Sequence, residues 1–155
     1  MTMFAWSEDY RIGFAPIDAQ HRRLFDVAAR LETALAAGAG AEVLAPALAS
    51  LADYTATHFA TEERFMRRHH YPGLRVHQVE HQALTARVME LQRTLQEEGP
   101  PATRVLQLLK VWLVHHIGSS DRRIGTWCTA RALPPCQASS AAPGGPSPDG
   151  PPPGT

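Results

Sequence analysis

The chain has 155 residues, and its 15 basic and 15 acidic side chains give a formal net charge of zero. This length suits one domain with a buried core. The balanced charge argues against nucleic acid as a partner, because phosphate binding needs a surplus of basic residues.

The apolar runs, the N-terminal residues and the cysteines indicate in which cellular compartment the protein is expected. No apolar run approaches the roughly 20 residues of a membrane span, and the N-terminus lacks the basic and apolar regions of a signal peptide. The two cysteines, Cys128 and Cys136, form no CxxC pair and are expected to be reduced thiols. We therefore expect a cytoplasmic monomer that does not contact the membrane.

The chain begins with an arm and an amphipathic helix. Residues 1–17 carry Trp6, Tyr10 and Phe14 without a helical period, which predicts an extended arm whose aromatic side chains pack on the remaining structure. Asp18 is the predicted N-cap of the first helix. The apolar face of this helix consists of His21, Leu24, Phe25, Ala28, Leu31 and Leu35, and Gly38 and Gly40 end it.

The second predicted helix starts near Ala41 or Glu42, with Pro46 in its first turn, and Tyr71-Pro72-Gly73 stops it. The third extends from about Leu74 to Glu97. The inner face of the second helix comprises Leu48, Leu51, Thr55, His58, Glu62, Phe65 and Met66. That of the third comprises His77, His81, Leu84, Val88, Leu91 and Leu95.

The fourth predicted helix begins near Ala102 and has Leu106, Leu109, Leu113, His116 and Ile117 on its inner face. Four amphipathic helices with short connections predict an all-α, up-down-up-down four-helix bundle over residues 1–131. Residues 132–155 are rich in Pro, Gly, Ser and Ala. Because they contain almost no large apolar side chains to offset the entropy of ordering, we expect a disordered tail.

Six polar residues fall on the apolar faces of the helices: His21, His58, Glu62, His77, His81 and His116. A single histidine on such a face is more often a hydrogen-bonded core residue than a metal ligand. Six polar groups in one small core are costly unless bound metal satisfies them together. Asp121, just past His116, adds a second carboxylate.

The step from His116 to Asp121 needs an irregular helix. Five residues rotate by about 140° on a regular α-helix, away from a shared face. We therefore predict that the helix is widened or broken at Gly118-Ser119-Ser120, so that Asp121 turns inward.

Five imidazoles and two carboxylates exceed the four ligands of a tetrahedral zinc ion. They suit two octahedral ions bridged by Glu62 and Asp121, with the histidines shared three and two. An additional oxo or hydroxo bridge then fills one ion and leaves one open position on the other. Iron is favoured by this set of donors, with manganese or zinc as alternatives in vitro and a structural zinc bundle as the simplest competitor.

The order and spacing of these residues resemble the hemerythrin family, in particular its bacterial branch. The resemblance covers about residues 4–127 and rests on four motifs: Asp18-x-x-His21, His58-Phe59-x-x-Glu62-Glu63, His77-x-x-x-His81 and Trp112-Leu113-x-x-His116-Ile117-x-x-x-Asp121. It implies that His77, His81 and His116 bind the coordinatively filled iron. It likewise implies that His21 and His58 bind the iron with the open position, and that the two carboxylates bridge.

By this resemblance the protein is expected to be a non-haem di-iron protein that binds O2 reversibly and is not an enzyme. Its expected use is O2 storage, delivery or buffering. The alternatives are an O2 or redox sensor module acting through a partner, and a di-iron enzyme acting on nitric oxide or peroxide. The Glu-x-x-His pairs of ferritin-like di-iron proteins are absent, which weakens an oxidase interpretation.

Residues around the ligands carry three further expectations. Apolar residues within one turn of a ligand are candidates for an O2 pocket, with plain core packing as the alternative: Leu24, Phe59, Leu113 and Ile117. His115 is one residue away from the ligand face and is expected to be exposed. Glu63 is expected to point away from Glu62 and to pair with an arginine.

Overall fold

A computed structural model describes residues 2–99 and 102–133. After a 3-10 turn over Glu8–Tyr10, the first three helices are α1 (Ala15–Ala36), α2 (Ala41–Arg68) and α3 (Leu74–Glu98). The fourth begins as α4 (Ala102–Leu109), widens into a π segment (Lys110–Asp121) and continues as α5 (Arg122–Ala130). We call these three parts together helix four.

The predicted all-α four-helix bundle is confirmed, and the described ranges contain no strand. α2 packs against α1 and α3, and helix four packs against the same two helices, so the four form a closed ring. The short connections over residues 37–40 and 69–73 turn the chain back on itself and make sequential neighbours antiparallel. No helix within the described ranges is both long and apolar enough to cross a membrane. Residues 134–155 of the predicted tail lie outside the described residues.

The start of α1 differs from the prediction, because the helix begins before Asp18. Phe14 is the N-cap residue, and Pro16 lies in the first turn, where a helix does not need its missing N–H. The buried Asp18 carboxylate accepts hydrogen bonds from the backbone N–H groups of Ile12 at 2.8 Å and Gly13 at 3.1 Å. The N-cap prediction is therefore wrong, and Asp18 instead fastens the arm to the first turn of α1.

Glycines lie at the helix ends, as predicted. Gly40 and Gly73 are the N-caps of α2 and α3, and Gly99, the C-cap of α3, has a φ of 91° that favours glycine. Pro46 requires a correction, because α2 begins at Ala41 and Pro46 lies beyond its first turn. Without an N–H, Pro46 cannot donate to the carbonyl one turn earlier.

The aromatic side chains of the arm pack on the bundle, as predicted. The rings of Trp6 and Tyr10 lie 5.8 and 4.6 Å from that of Phe25 in α1. The ring of Phe14 lies 4.2 Å from that of Phe65 in α2. The arm thus covers two helices and closes one end of the core.

The buried apolar side chains form two clusters. The larger includes Leu24, Phe59, Leu84 and Ile117, and the smaller, beside the arm, includes Ile12, Phe14, Ile17, Met66 and Ile124. Along α1, His21 lies between Ile17 and Leu24, and along helix four, Asp121 lies between Ile117 and Ile124. A polar layer therefore separates the two clusters.

Gly125→Ala tests the contact between the arm and α5. A Cβ at Gly125 would lie 2.5 Å from the carbonyl oxygen of Ile12 and 2.9 Å from its Cα. Because these are backbone atoms, the arm itself must shift, and we expect the free energy of unfolding to fall by about 1–3 kcal/mol in urea denaturation.

Gly118→Ala is the matched control for this substitution. Its added Cβ would meet only the Tyr10 side chain, at 3.3 Å, so a change of less than about 1 kcal/mol is expected. Equal stabilities for the two variants would contradict a close backbone contact at Gly125.

Candidate metal centre

The polar layer brings together all seven residues predicted to bind metal, and none of their side chains is more than 5% exposed. Their candidate ligand atoms form two groups, and within each group the atoms lie within 4.8 Å of one another. One group contains His77, His81 and His116, the other contains His21 and His58, and Glu62 and Asp121 belong to both. The roles of the seven as ligands stay a prediction.

Glu62 directs one carboxylate oxygen to each group of histidines. Its Oε1 lies 3.0 Å from Nε2 of His21 and 3.2 Å from Nε2 of His58. Its Oε2 lies 3.4 Å from Nε2 of His77 and 3.1 Å from Nε2 of His81. Glu62 therefore has the orientation that a carboxylate bridging two ions requires.

Asp121 divides its oxygens in the same way. Its Oδ2 lies 3.2 Å from Nε2 of His21, whereas its Oδ1 lies 3.0 Å from Nε2 of His77 and 3.2 Å from Nε2 of His116. The two carboxylates thus enter from α2 and from helix four, and both lie between the histidine groups.

The π segment explains how Asp121 reaches this position. The helix is widened, as predicted around residues 118–120, and it is not broken. Hydrogen bonds from residue i to i+5 place residues five apart on one face, which a regular α-helix cannot do. His116 and Asp121 consequently point to the same centre.

Three imidazoles donate an outer hydrogen bond through Nδ1. The acceptors are Gln20 Oε1 for His58 at 2.9 Å, Glu63 Oε1 for His81 at 2.9 Å and Glu80 Oε2 for His116 at 2.8 Å. With the proton held on Nδ1, the lone pair of Nε2 faces the centre, which is the tautomer that binds metal.

Several buried atoms that face the centre have no hydrogen-bond partner among the described residues: Nε2 of His58, His81 and His116, and both oxygens of Asp121. Buried acceptors without donors are costly. Metal ions at the points where these lone pairs converge remove that cost. The donor set of imidazole and carboxylate is one that iron accepts, so the residues fit a pair of iron ions.

The charges of the layer act strongly on the histidines. Burial by itself lowers the pKa of His21, but the negative charges of Asp121 and Glu62, whose oxygens lie 3.2 and 3.0 Å from its Nε2, outweigh it and raise this pKa to about 10. The same balance raises the pKa of His77 to about 10. Burial raises the pKa of Glu62, yet the histidines around it hold that pKa well below its ordinary value. In the metal-free protein, protons therefore occupy the places that metal ions would take.

Glu63 points away from the centre that Glu62 faces, as expected, but the expected arginine partner is wrong, because its carboxylate accepts hydrogen bonds from His81 and, at 2.9 Å, from Gln78. The sequence analysis also missed Gln20 and Glu80. All three acceptors directly precede or follow a ligand on their own helix and bind a histidine of the next helix. A position next to a ligand is rotated by about 100° towards the seam between helices, and this is the signal that was available.

The four pocket candidates, Leu24, Phe59, Leu113 and Ile117, are buried in the larger apolar cluster. Phe59 stacks on His81, with ring centroids 3.7 Å apart and 7° between the planes, and its centroid is 5.7 Å from that of His58. It therefore touches imidazoles of both groups. The role of the four as an O2 pocket stays a prediction, and His115 is exposed, as expected.

A four-helix bundle with a buried histidine and carboxylate cluster able to hold two ions defines the class of non-haem di-iron proteins. Residues 13–128 match the family described as the hemerythrin HHE cation binding domain. The chain belongs to the hemerythrin family, whose members bind a di-iron centre and O2.

Relatives of similar length support this assignment. A bacteriohemerythrin of Stenotrophomonas maltophilia (strain R551-3) is 31% identical over 125 residues, which cover 79% of each chain. A bacteriohemerythrin of Methylococcus capsulatus is 30% identical over 84% of this chain and 98% of its own. A myohemerythrin of Riftia pachyptila is 30% identical over 76% of this chain and 88% of its own.

The shifted pKa values predict how the stability of the metal-free protein depends on pH. Because His21 and His77 keep their protons up to about pH 10 when folded, whereas the reference value is 6.5, folding retains protons that the unfolded chain releases. This stabilisation is complete below pH 6.5 and is lost as the pH rises to 10. The melting temperature of metal-free protein should therefore fall between pH 6.5 and 9.

The metal-loaded protein should behave in the opposite way. Protons and metal ions compete for the same lone pairs, so the stabilisation by metal grows as the pH rises. Calorimetry of both forms across this range measures the difference. If the melting temperatures of the two forms changed with pH in the same way, the histidines would not exchange protons for metal.

Proposed function

We propose that the protein binds O2 reversibly at two iron ions, for storage, delivery or local buffering of O2. The observation that supports this most is the division of each carboxylate, one oxygen towards each histidine group. Such a division serves two ions side by side and has no use at a single ion. Glu62 and Asp121 would therefore each contact both ions.

The two metal positions of the proposed site differ in their number of protein ligands. His77, His81 and His116 with the two carboxylates and an oxo or hydroxo bridge would supply six ligands to one ion. For the other ion, His21 and His58 would bring the total to five and leave one position open. When bound, the iron pair supplies the electrons and the open position that O2 binding needs.

The residues around the site favour binding over oxidation chemistry. Five of the seven proposed ligands are imidazoles, which would be neutral when bound to metal and would donate less negative charge than the carboxylate-rich shells of ferritin-like proteins. Such a set of donors would favour O2 binding over cleavage of the O–O bond. The apolar wall of Leu24, Phe59, Leu113 and Ile117 limits water and protons, which would promote the loss of reduced oxygen species.

The test begins with iron-loaded protein that is reduced without oxygen and then exposed to air. About two irons per chain and a visible charge-transfer band that disappears on deoxygenation are expected. A colourless protein with one zinc per chain would overturn the proposal. Continuous O2 consumption with added reductant would indicate an enzyme instead.

Replacing two neighbouring histidines, one buried and one exposed, tests whether iron binds at the buried cluster. His116→Ala removes a proposed ligand and leaves the buried Asp121 and Glu80 without it, so loss of iron and a lower melting temperature are expected. His115→Ala, at an exposed position of the same helix, should keep both irons and the band. Iron content by elemental analysis and calorimetry decide the comparison, and full iron content in His116→Ala would contradict the assignment.

A further inference from the structure

The outer hydrogen bonds of the two histidine groups differ in charge. In the group of three, His81 and His116 donate to the carboxylates of Glu63 and Glu80. In the group of two, His58 donates to a neutral amide oxygen of Gln20. The Nδ1 of His21 is buried and has no partner among the described residues.

The two outer glutamates are fixed in place and charged at neutral pH. Glu63 also accepts from the side-chain amide of Gln78 at 2.9 Å, and Glu80 also accepts from the hydroxyl of Ser120 at 2.6 Å. A glutamate side chain is ordinarily ionised at neutral pH. Each glutamate is therefore a stable anion one imidazole away from the site.

A carboxylate behind an imidazole makes the imidazole a stronger donor to metal, because negative charge at Nδ1–H increases the basicity of Nε2. An amide orients the ring but adds no charge. Loss of such an outer partner typically changes metal affinity by about 10- to 100-fold. The group of three has two such carboxylates and the group of two has none, so the difference in charge adds to the difference in ligand number.

We propose that Glu63, Glu80 and Gln20 are positioning residues that make the two metal positions unequal, so that the His77, His81 and His116 position fills first and binds its ion more tightly. This inference rests on the two-ion site of the proposed function. It assigns the inequality to specific hydrogen bonds outside the ligand set. These hydrogen bonds can be changed without removing any ligand.

The experiment titrates metal-free protein with Co2+, whose visible spectrum reports its coordination, and follows binding by calorimetry. The unmodified protein should bind two ions in two steps. Glu63→Gln keeps an acceptor for His81 but removes the charge, and it should weaken the first step by about 10- to 100-fold while the second stays unchanged. Gln20→Glu should strengthen the second step and leave the first unchanged.

The double variant Gln20→Glu with Glu63→Gln exchanges the two outer groups and should bring the two affinities together. Glu97→Gln, an exposed glutamate of α3 that pairs with Arg93, is the charge-matched control and should change neither step. Because Gln20→Glu is expected to increase the Co2+ affinity of the second step, a variant that merely folds less well cannot give the same result.

The outcomes separate this inference from the proposed function. Fewer than two Co2+ or Fe2+ ions per chain in the unmodified protein would overturn the two-ion site and the inference with it. Two ions per chain, with both steps shifted equally by Glu63→Gln or with no gain from Gln20→Glu, would overturn the inference alone. A shift in Glu97→Gln as large as that in Glu63→Gln would do the same.

Discussion

The rest of the structure depends on the burial of seven titratable side chains against one another. Two carboxylates and five imidazoles occupy a layer in which no side chain is more than 5% exposed, and no lysine or arginine pairs with them in the described part of the chain. Such groups are tolerated only when their lone pairs and protons are matched. Because these seven side chains come from all four helices, any rotation or sliding of one helix would leave a buried charge unmatched. The polar layer therefore sets the register of the bundle.

The burial of these seven side chains also affects the π segment of helix four and the arm that packs beside it. The π segment turns Asp121 inward, and α5 continues from that residue with Ile124 and Cys128 facing the smaller cluster. Gly125, one residue after Ile124, leaves room for the backbone of the arm at Ile12. The arm is held on its other side by Asp18, one helical turn before His21. The widened turn and the docked arm are thus linked through the position of the buried Asp121 carboxylate.

Features that depend on one helix alone could be predicted from the sequence, and features that depend on contacts between helices could not. Helical periodicity places ligands and apolar residues on one face of each helix, and the 140° mismatch between His116 and Asp121 predicted the widened turn by simple rotation. The start of α1 was missed, because Pro16 permits a helix to begin ahead of Asp18 and a carboxylate can reach back to the arm. The partner of Glu63 was assigned wrongly, because a side chain between two helices has several neighbours on the adjacent helix. Only the relative rotation of the two helices selects among them.

The outer hydrogen bonds follow a rule that becomes visible once the helix directions are known. Gln20 precedes the ligand His21, Glu63 follows Glu62 and Glu80 precedes His81, and each acceptor binds a histidine of the next helix. Whether the acceptor precedes or follows the predicted ligand alternates from one helix to the next. Successive helices are antiparallel, so the surface that faces the next helix is reached one residue before the ligand on one helix and one residue after it on the following helix.

On helix four the rule selects the residue that follows His116, which is Ile117. An isoleucine accepts no hydrogen bond, and the histidine of the next helix in the ring, His21, is the one whose buried Nδ1 has no partner among the described residues. The ring of outer acceptors is therefore interrupted at a single seam. That seam lies on the side of the two-histidine group, where the outer acceptor among the described residues is the neutral amide of Gln20. Under the proposed two-ion site, this missing acceptor would add to the inequality proposed between the two metal positions.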